Sequence, residues 1–174
     1  MKKFVDGVFL ADSRVRTEVR GLSEESDVRP ADIYTNSALP GCDAALDVTV
    51  VSPEASHAGQ DCLKNSFSMK FRKYQAILPE LSRQGIVFKP LVWSTEGAPH
   101  NVVMRVMSHV CSVAARRHGN DTEAKDMLNR WQRELAAALQ VRKAAMIRAC
   151  LPRLPAHRSW LLSGKLSSEF ARVA

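Results

Sequence analysis

Two aspartates and two lysines are the residues of this sequence whose types and order could carry out chemistry. Asp32 ends an R-P-A-D segment, and Asp47 lies in the middle of a nearly continuous apolar run, residues 44–51. Lys70 and Lys73 follow further along the chain and are separated by about one helical turn. A charged residue within an apolar run needs an explanation, because burying an unpaired charge is costly.

These residue types suit the hydrolysis of a phosphodiester. Two carboxylates offer the oxygen ligands that Mg²⁺ or Mn²⁺ prefers, so we predict Asp32 and Asp47 as metal ligands. The reaction also needs positive charge to offset the negative charge that builds up on phosphorus and the leaving oxygen, and Lys70 could supply it. Lys73 is a second catalytic candidate, although contact with DNA or solvent suits it better. The alternative is that Asp47 is a buried structural acid paired with Arg29 or Lys70.

The elements that must position the aspartates are two strands. Residues 30–34 are predicted to be extended, since proline disfavours helix while isoleucine and tyrosine favour strands. The apolar run 44–51 is typical of a strand covered on both faces. Residues 36–43, with their proline and glycine, predict the loop of a hairpin. Such a hairpin can bring Asp32 and Asp47 together at one end of a sheet.

The lysines belong to a region that predicts a helix over 61–83, with an earlier start at 55 also compatible, and Pro79 should kink or divide it. Residues 86–93 follow as another buried strand. Before the hairpin, residues 15–22 alternate in the manner of a strand. Glu18, within that strand, is a candidate for supporting the metal.

The C-terminal part of the chain is basic. Residues 100–174 hold 13 lysines and arginines against 5 aspartates and glutamates, whereas residues 1–99 hold 12 against 13. Two helices are predicted here, over 102–118 and 122–151, the second capped at position 120 or 121. Excess positive charge suits a polyanion such as DNA, although a solvated arginine-rich helix would show the same pattern. The candidate nucleic-acid-binding residues are Arg130, Arg133, Arg142 and Lys143.

Length and composition exclude several classes of protein. The 174 residues suit one domain with an appendage, and an apolar fraction of 45% can supply a core. No run approaches the roughly 20 apolar residues that span a bilayer, so we expect no membrane association and no secretion. The four cysteines are widely spaced and form no C-x-x-C pair, which favours reduced thiols in an intracellular protein.

Four segments in order carry a family resemblance: R-P-A-D (29–32), L-D-V-T-V (46–50), K-F-R-K-Y (70–74) and S-T-E-G (94–97). Together they resemble the endonuclease domain of site-specific non-LTR retrotransposons, within the PD-(D/E)XK superfamily of restriction-endonuclease-like nucleases. The resemblance implies that Asp32 and Asp47 bind metal. It also implies that the catalytic lysine has moved to the following helix as Lys70, because Thr49 stands where a standard (D/E)-x-K strand carries lysine.

The resemblance implies an α/β, restriction-endonuclease-like fold: a mixed central sheet flanked by helices, with a C-terminal helical pair. We predict a nuclease core over 1–100, a helical extension over 101–155 and a tail over 156–174. The expected function is Mg²⁺- or Mn²⁺-dependent cleavage of DNA, in the nucleus if the chain derives from a retroelement. Two alternatives stay open: a catalytically inactive nuclease-like fold that binds nucleic acid, and a helical protein-interaction module over 102–151.

Overall fold

The computed structural model describes residues 2–19, 22, 30–54, 61–119 and 123–150. Its elements in chain order are α1 (Lys2–Phe9), β1 (Arg16–Val19), β2 (Ala31–Leu39), β3 (Cys42–Val51), α2 (Cys62–Tyr74), α3 (Leu78–Arg83), β4 (Ile86–Ser94), α4 (Asn101–Arg117) and α5 (Ala124–Cys150). The chain divides into two compact units, Met1–Gln140 and Val141–Ala174. Within the second unit, residues 141–150 are described, and they are the last part of α5.

The four strands form one mixed sheet in the order β1-β2-β3-β4, in which the first two pairs are antiparallel and β3 and β4 are parallel. The hairpin turn between β2 and β3 is shorter than predicted. Positions 36–39 and 42–43 continue the strands, and the turn is reduced to Pro40 and Gly41, with Gly41 at φ +69°, a value that glycine adopts readily. A parallel pair needs a crossover connection, which α2 and α3 provide.

One face of the sheet is covered by α1, α4 and the first part of α5. The apolar side chains of this layer centre on an aromatic group in which the Phe4 ring lies 4.9 Å from the Trp131 ring and 5.4 Å from the Trp93 ring, centroid to centroid. Gly7 allows this approach, since a Cβ there would lie 2.1 Å from the Trp131 indole. Helix α4 contacts both β2 and β4, so it shares one compact unit with the sheet.

The opposite face of the sheet is covered by α2 and α3, whose apolar contacts include Tyr74, Leu81 and Phe88. Helices therefore flank both faces, which confirms the predicted α/β class with a mixed sheet. Pro79 lies in the first turn of α3 and separates it from α2, as its ring and missing N–H favour. The Asp61 side chain caps α2 by accepting a hydrogen bond from the Lys64 backbone N–H at 3.0 Å.

Several predictions fall outside the described residues: the helix start at 55, the cap at 120 or 121, the end of the long helix at 151 and the tail over 156–174. Of the first predicted strand, 15–22, the structure shows β1 over Arg16–Val19, and residues 20 and 21 lie outside the described part of the chain. Among the described helices, none combines the length and the apolar character that crossing a membrane requires.

Candidate active site

The β2–β3 hairpin brings the two predicted aspartates together. Its register pairs Ile33 with Leu46, so one step further along the strands Asp32 lies beside Asp47. The Asp32 Oδ2 atom accepts a hydrogen bond of 2.7 Å from the backbone N–H of Val48, the residue after Asp47. The two carboxylates are therefore held on neighbouring strands, with one of them tied to the backbone of the other strand.

Asp47 is the buried member of the pair, with 4% of its surface exposed. Its Oδ2 atom lies 2.7 Å from the Lys70 ammonium, and its Oδ1 atom accepts a hydrogen bond of 3.3 Å from the Tyr74 hydroxyl. Despite the close ammonium, Oδ2 accepts no hydrogen bond of ordinary geometry from any residue in the described part of the chain. This carboxylate is paired in charge but incompletely satisfied in hydrogen bonding.

Burial raises the pKa of the Asp47 carboxyl above its usual value, and the nearby Asp32 adds to the rise. Lys70 and the Tyr74 hydroxyl oppose it but do not cancel it. The pKa of Tyr74 is also raised, first by burial and then by the Asp47 charge. Keeping Asp47 ionised therefore costs free energy in the folded protein. A cation bound to the carboxylate would lower that cost.

Helix α2 orients Lys70 towards the aspartates. Phe71 and Tyr74 anchor the helix on the sheet through edge contacts with the Phe88 ring, at centroid distances of 5.6 and 4.9 Å. Lys70 and Tyr74 are one turn apart and share a face, so both reach Asp47. Lys73 is exposed, and its ammonium lies 4.9 Å from the centroid of the Tyr74 ring. Of the two predicted lysines, Lys70 is the one that contacts the acid.

A cleft of about 480 Å³ opens between the end of β3 and α2. Its lining residues are Thr49, Val50, Val51, Ser52, Cys62, Asn65, Ser66, Met69, Lys70 and Lys73. Two lysines and no carboxylate are among these residues, so the cleft suits an anionic group. The Thr49 hydroxyl oxygen is buried there and has no hydrogen-bond partner among the described residues. Lys70 of α2 therefore contributes positive charge to the same cleft that Thr49 of β3 lines.

Glu18 lies opposite Asp32 in the register of β1 and β2, which pairs Thr17 with Ile33 and Val19 with Ala31. It is an exposed residue of the short strand β1 with φ +54°. Among the described residues, no group of three or more histidine, cysteine or acidic side chains is arranged to hold a metal ion. Asp32 and Asp47 remain, and two carboxylates fit Mg²⁺, which commonly keeps several waters and takes one or two carboxylates together with substrate phosphates. The incompletely satisfied Oδ2 of Asp47 is consistent with such a cation.

The predicted nucleic-acid-binding arginines lie elsewhere. Arg130 and Arg133 are exposed on α5, whose Trp131 packs with α1 and α4 on the sheet face opposite α2. They therefore lie across the sheet from the cleft. In the second unit, Arg142 is exposed and Lys143 is partly buried. Sequence periodicity placed the four on one helix but carried no information on which face of the sheet that helix covers.

The Tyr74 hydroxyl is a feature of the site to which the sequence analysis assigned no role, although Tyr74 belongs to the K-F-R-K-Y segment. Its spacing of one turn from Lys70 was the available signal. The His100 ring stacks on Phe67 at a centroid distance of 4.4 Å, and its Nδ1 accepts a hydrogen bond of 3.4 Å from the Val102 N–H, which caps α4. Both contacts are structural.

No protein-family model, curated protein or solved structure matches the chain. The interpretation of the site therefore depends on its own geometry and on the motifs of the sequence.

Proposed function

We propose that this chain is a Mg²⁺- or Mn²⁺-dependent endonuclease that hydrolyses DNA phosphodiester bonds. The observation that carries the proposal is the arrangement of three side chains: Asp32 and Asp47 are adjacent on neighbouring strands, and the Lys70 ammonium lies 2.7 Å from Asp47. The same three residues match the metal-binding acids and the migrated lysine of the retrotransposon endonuclease motif.

The order of elements supports a restriction-endonuclease-like fold for the core. A helix opens the chain, three antiparallel strands follow, and a helical crossover leads to a strand parallel to β3. If the chain derives from a retroelement, its DNA substrate would place it in the nucleus.

Each residue of the site has a distinct part in the proposed reaction. A bound divalent cation would supply positive charge and activate water for attack on the phosphodiester. Asp32 and Asp47 would hold it, and Tyr74 positions Asp47 by donating to Oδ1. Lys70 would offset the charge that develops on the phosphate oxygens. Lys73, exposed in the same cleft, is suited to a neighbouring phosphate of the DNA backbone.

Two features favour an active enzyme over an inactive fold that only binds nucleic acid. The two acids and Lys70 lie together, and an open cleft lined by two lysines lies beside them. The protein-interaction alternative predicted an exposed apolar stripe in the C-terminal helices. Between positions 102 and 150, the large exposed apolar side chains among the described residues are Val141, Met146 and Ile147. At about 100° per residue they point to different sides of the helix, so they do not form one stripe.

The test is a nicking assay on supercoiled plasmid DNA with Mg²⁺, with Mn²⁺ and with a chelator. We expect cleavage that needs the metal and that falls at least about a hundredfold in Asp32→Asn and Lys70→Gln. Asp61→Asn is the matched control, because it removes one carboxylate near the cleft while asparagine still caps α2. Cleavage that survives chelation, or that both site variants retain, would contradict the proposal.

A further inference from the structure

The charge partner of Asp47 in this structure is a lysine, although the proposed function requires a metal there. We propose that Lys70 and a divalent cation compete for the Asp47 carboxylate, so that the lysine neutralises the site without metal and is released towards the substrate phosphate when metal binds. This inference rests on the proposed function for the identity of the ligand, a divalent cation. The contacts between Asp47 and Lys70 that lead to it do not depend on whether the chain cleaves DNA.

The competition follows from how few contacts Asp47 has. Its side chain is 6% exposed, its Oδ1 atom receives the Tyr74 hydroxyl, and its Oδ2 atom lies 2.7 Å from the Lys70 ammonium. A cation binding to Oδ2 would stand within a few ångströms of that ammonium. Two like charges at that separation repel strongly in a partly buried site. Lys70 and the cation therefore cannot both bind Oδ2 at full strength.

The Lys70 side chain can move away from this contact, whereas the Asp47 side chain cannot. Asp47 is fixed in the centre of β3, but 23% of the Lys70 side chain is exposed, and the residue lines the open cleft beside Lys73. A lysine stem is flexible, and its ammonium is well hydrated in such a position. Release from Asp47 would place the ammonium in the cleft, where a bound phosphate would meet it.

The experiment measures metal affinity without any nucleic acid. The full chain is titrated with Mn²⁺ at pH 8, and free Mn²⁺ is followed by electron paramagnetic resonance in the wild type, Lys70→Met and Lys73→Met. Lys73→Met is the matched control, because it removes the same charge from the same helix and cleft but from a side chain whose ammonium lies over the Tyr74 ring. We expect Lys70→Met to bind Mn²⁺ about tenfold more tightly than the wild type, and Lys73→Met within about twofold of it.

Equal or weaker Mn²⁺ binding by Lys70→Met would overturn the inference, as would an equal gain in both variants, which would indicate general electrostatics. If neither the wild type nor Lys70→Met binds Mn²⁺, the inference and the metal-dependent function both fail. If Lys70→Met binds Mn²⁺ more tightly but the wild type cleaves no DNA, the inference would be supported and the proposed nuclease function would be wrong. If the wild type cleaves DNA with metal but Lys70→Met binds Mn²⁺ no more tightly than the wild type, the proposed function would stand and the inference would fail.

A second measurement on the wild type covers the case in which Lys70→Met does not fold. The ¹⁵N signal of the Lys70 side chain is recorded by nuclear magnetic resonance as Mg²⁺ is added, with Lys73 as the internal reference. We expect the Lys70 signal to shift at saturating Mg²⁺ more than the Lys73 signal. An unchanged Lys70 signal at a concentration that saturates the site would overturn the inference.

Discussion

Two buried aspartates in this protein have opposite surroundings. Asp12, after α1, is 1% exposed and accepts three hydrogen bonds: from the Thr35 hydroxyl at 2.6 Å, the Arg14 N–H at 2.8 Å and the Asn36 N–H at 3.2 Å. Asp47 is 4% exposed, but it has one long hydrogen bond and one ammonium neighbour. At similar burial, one carboxylate is therefore held by three hydrogen bonds and the other by one long hydrogen bond and one ammonium.

The pKa of each carboxyl records this difference. Burial raises the pKa of both, but at Asp12 the hydrogen bonds from Thr35, Arg14 and Asn36 outweigh burial and hold the pKa below its usual value. At Asp47 burial prevails and the pKa is raised. A carboxylate saturated by local donors stabilises the fold, whereas one that is left short of donors is available to a ligand. We interpret Asp12 as structural and Asp47 as functional.

The largest effect is expected from Asp47→Asn. We expect metal-dependent plasmid nicking to fall at least about a hundredfold, because the variant loses a negatively charged ligand. The free energy of unfolding should change little, because the ionised Asp47 carries a cost that asparagine does not. Nicking rates and urea unfolding of the same preparation would check both parts. Nicking at the wild-type rate would remove Asp47 from the metal site.

Asp12→Asn should show the reverse pattern. The amide places an N–H₂ group where the carboxylate accepted hydrogen bonds, so a buried donor loses its partner and we expect the free energy of unfolding to fall by about 1–3 kcal/mol. The nicking rate of the protein that remains folded should stay close to that of the wild type. A large loss of nicking with unchanged stability would contradict the division between the two aspartates.

The two carboxyls also predict pH dependence of opposite sign. Asp12, whose pKa is lowered in the folded state, contributes stability that is present above its usual value near 3.8 and is lost as the pH falls through the lowered folded value. Asp47, whose pKa is raised, lowers stability as the pH rises from about 3.8 through its folded value. Urea midpoints measured between pH 3 and pH 7 test both contributions. As the pH is lowered, Asp12→Asn should gain stability relative to the wild type, because it lacks the contribution that the wild type loses. Asp47→Asn should lose stability relative to the wild type, because it lacks the cost that protonation of Asp47 removes. Identical pH profiles in all three would contradict this assignment.

The smallest effect on stability is expected where charges are not buried deeply. Replacing Arg130, Arg133, Arg142 and Lys143 together by glutamine should change the free energy of unfolding by less than about 1 kcal/mol. If these residues bind DNA, affinity should fall for all sequences alike, and the salt dependence should flatten by about one unit for each residue engaged. Arg116→Gln with Arg117→Gln, at the exposed end of α4, is the control. Unchanged affinity and slope would leave α5 without a DNA-holding role.

The sequence by itself determined the elements and the types of residue that they carry. An apolar run with one aspartate predicted β3 with Asp47 inside it, and the proline and glycine at 40 and 41 predicted the hairpin that brings Asp32 alongside. These features depend on neighbours in the chain, through strand propensity and turn geometry, so a local pattern is sufficient to find them.

The tertiary structure decided which side chains meet. The rotation of α2 on Phe88 selects Lys70 over Lys73 as the neighbour of Asp47, and no helical spacing could make that choice. Asp12 had no signal in the sequence, because two of its partners, Thr35 and Asn36, lie far from it in the chain. Likewise, packing of Trp131 against Phe4 places Arg130 and Arg133 across the sheet from the cleft. Contacts between distant segments depend on how whole layers pack, and a local pattern does not contain that information.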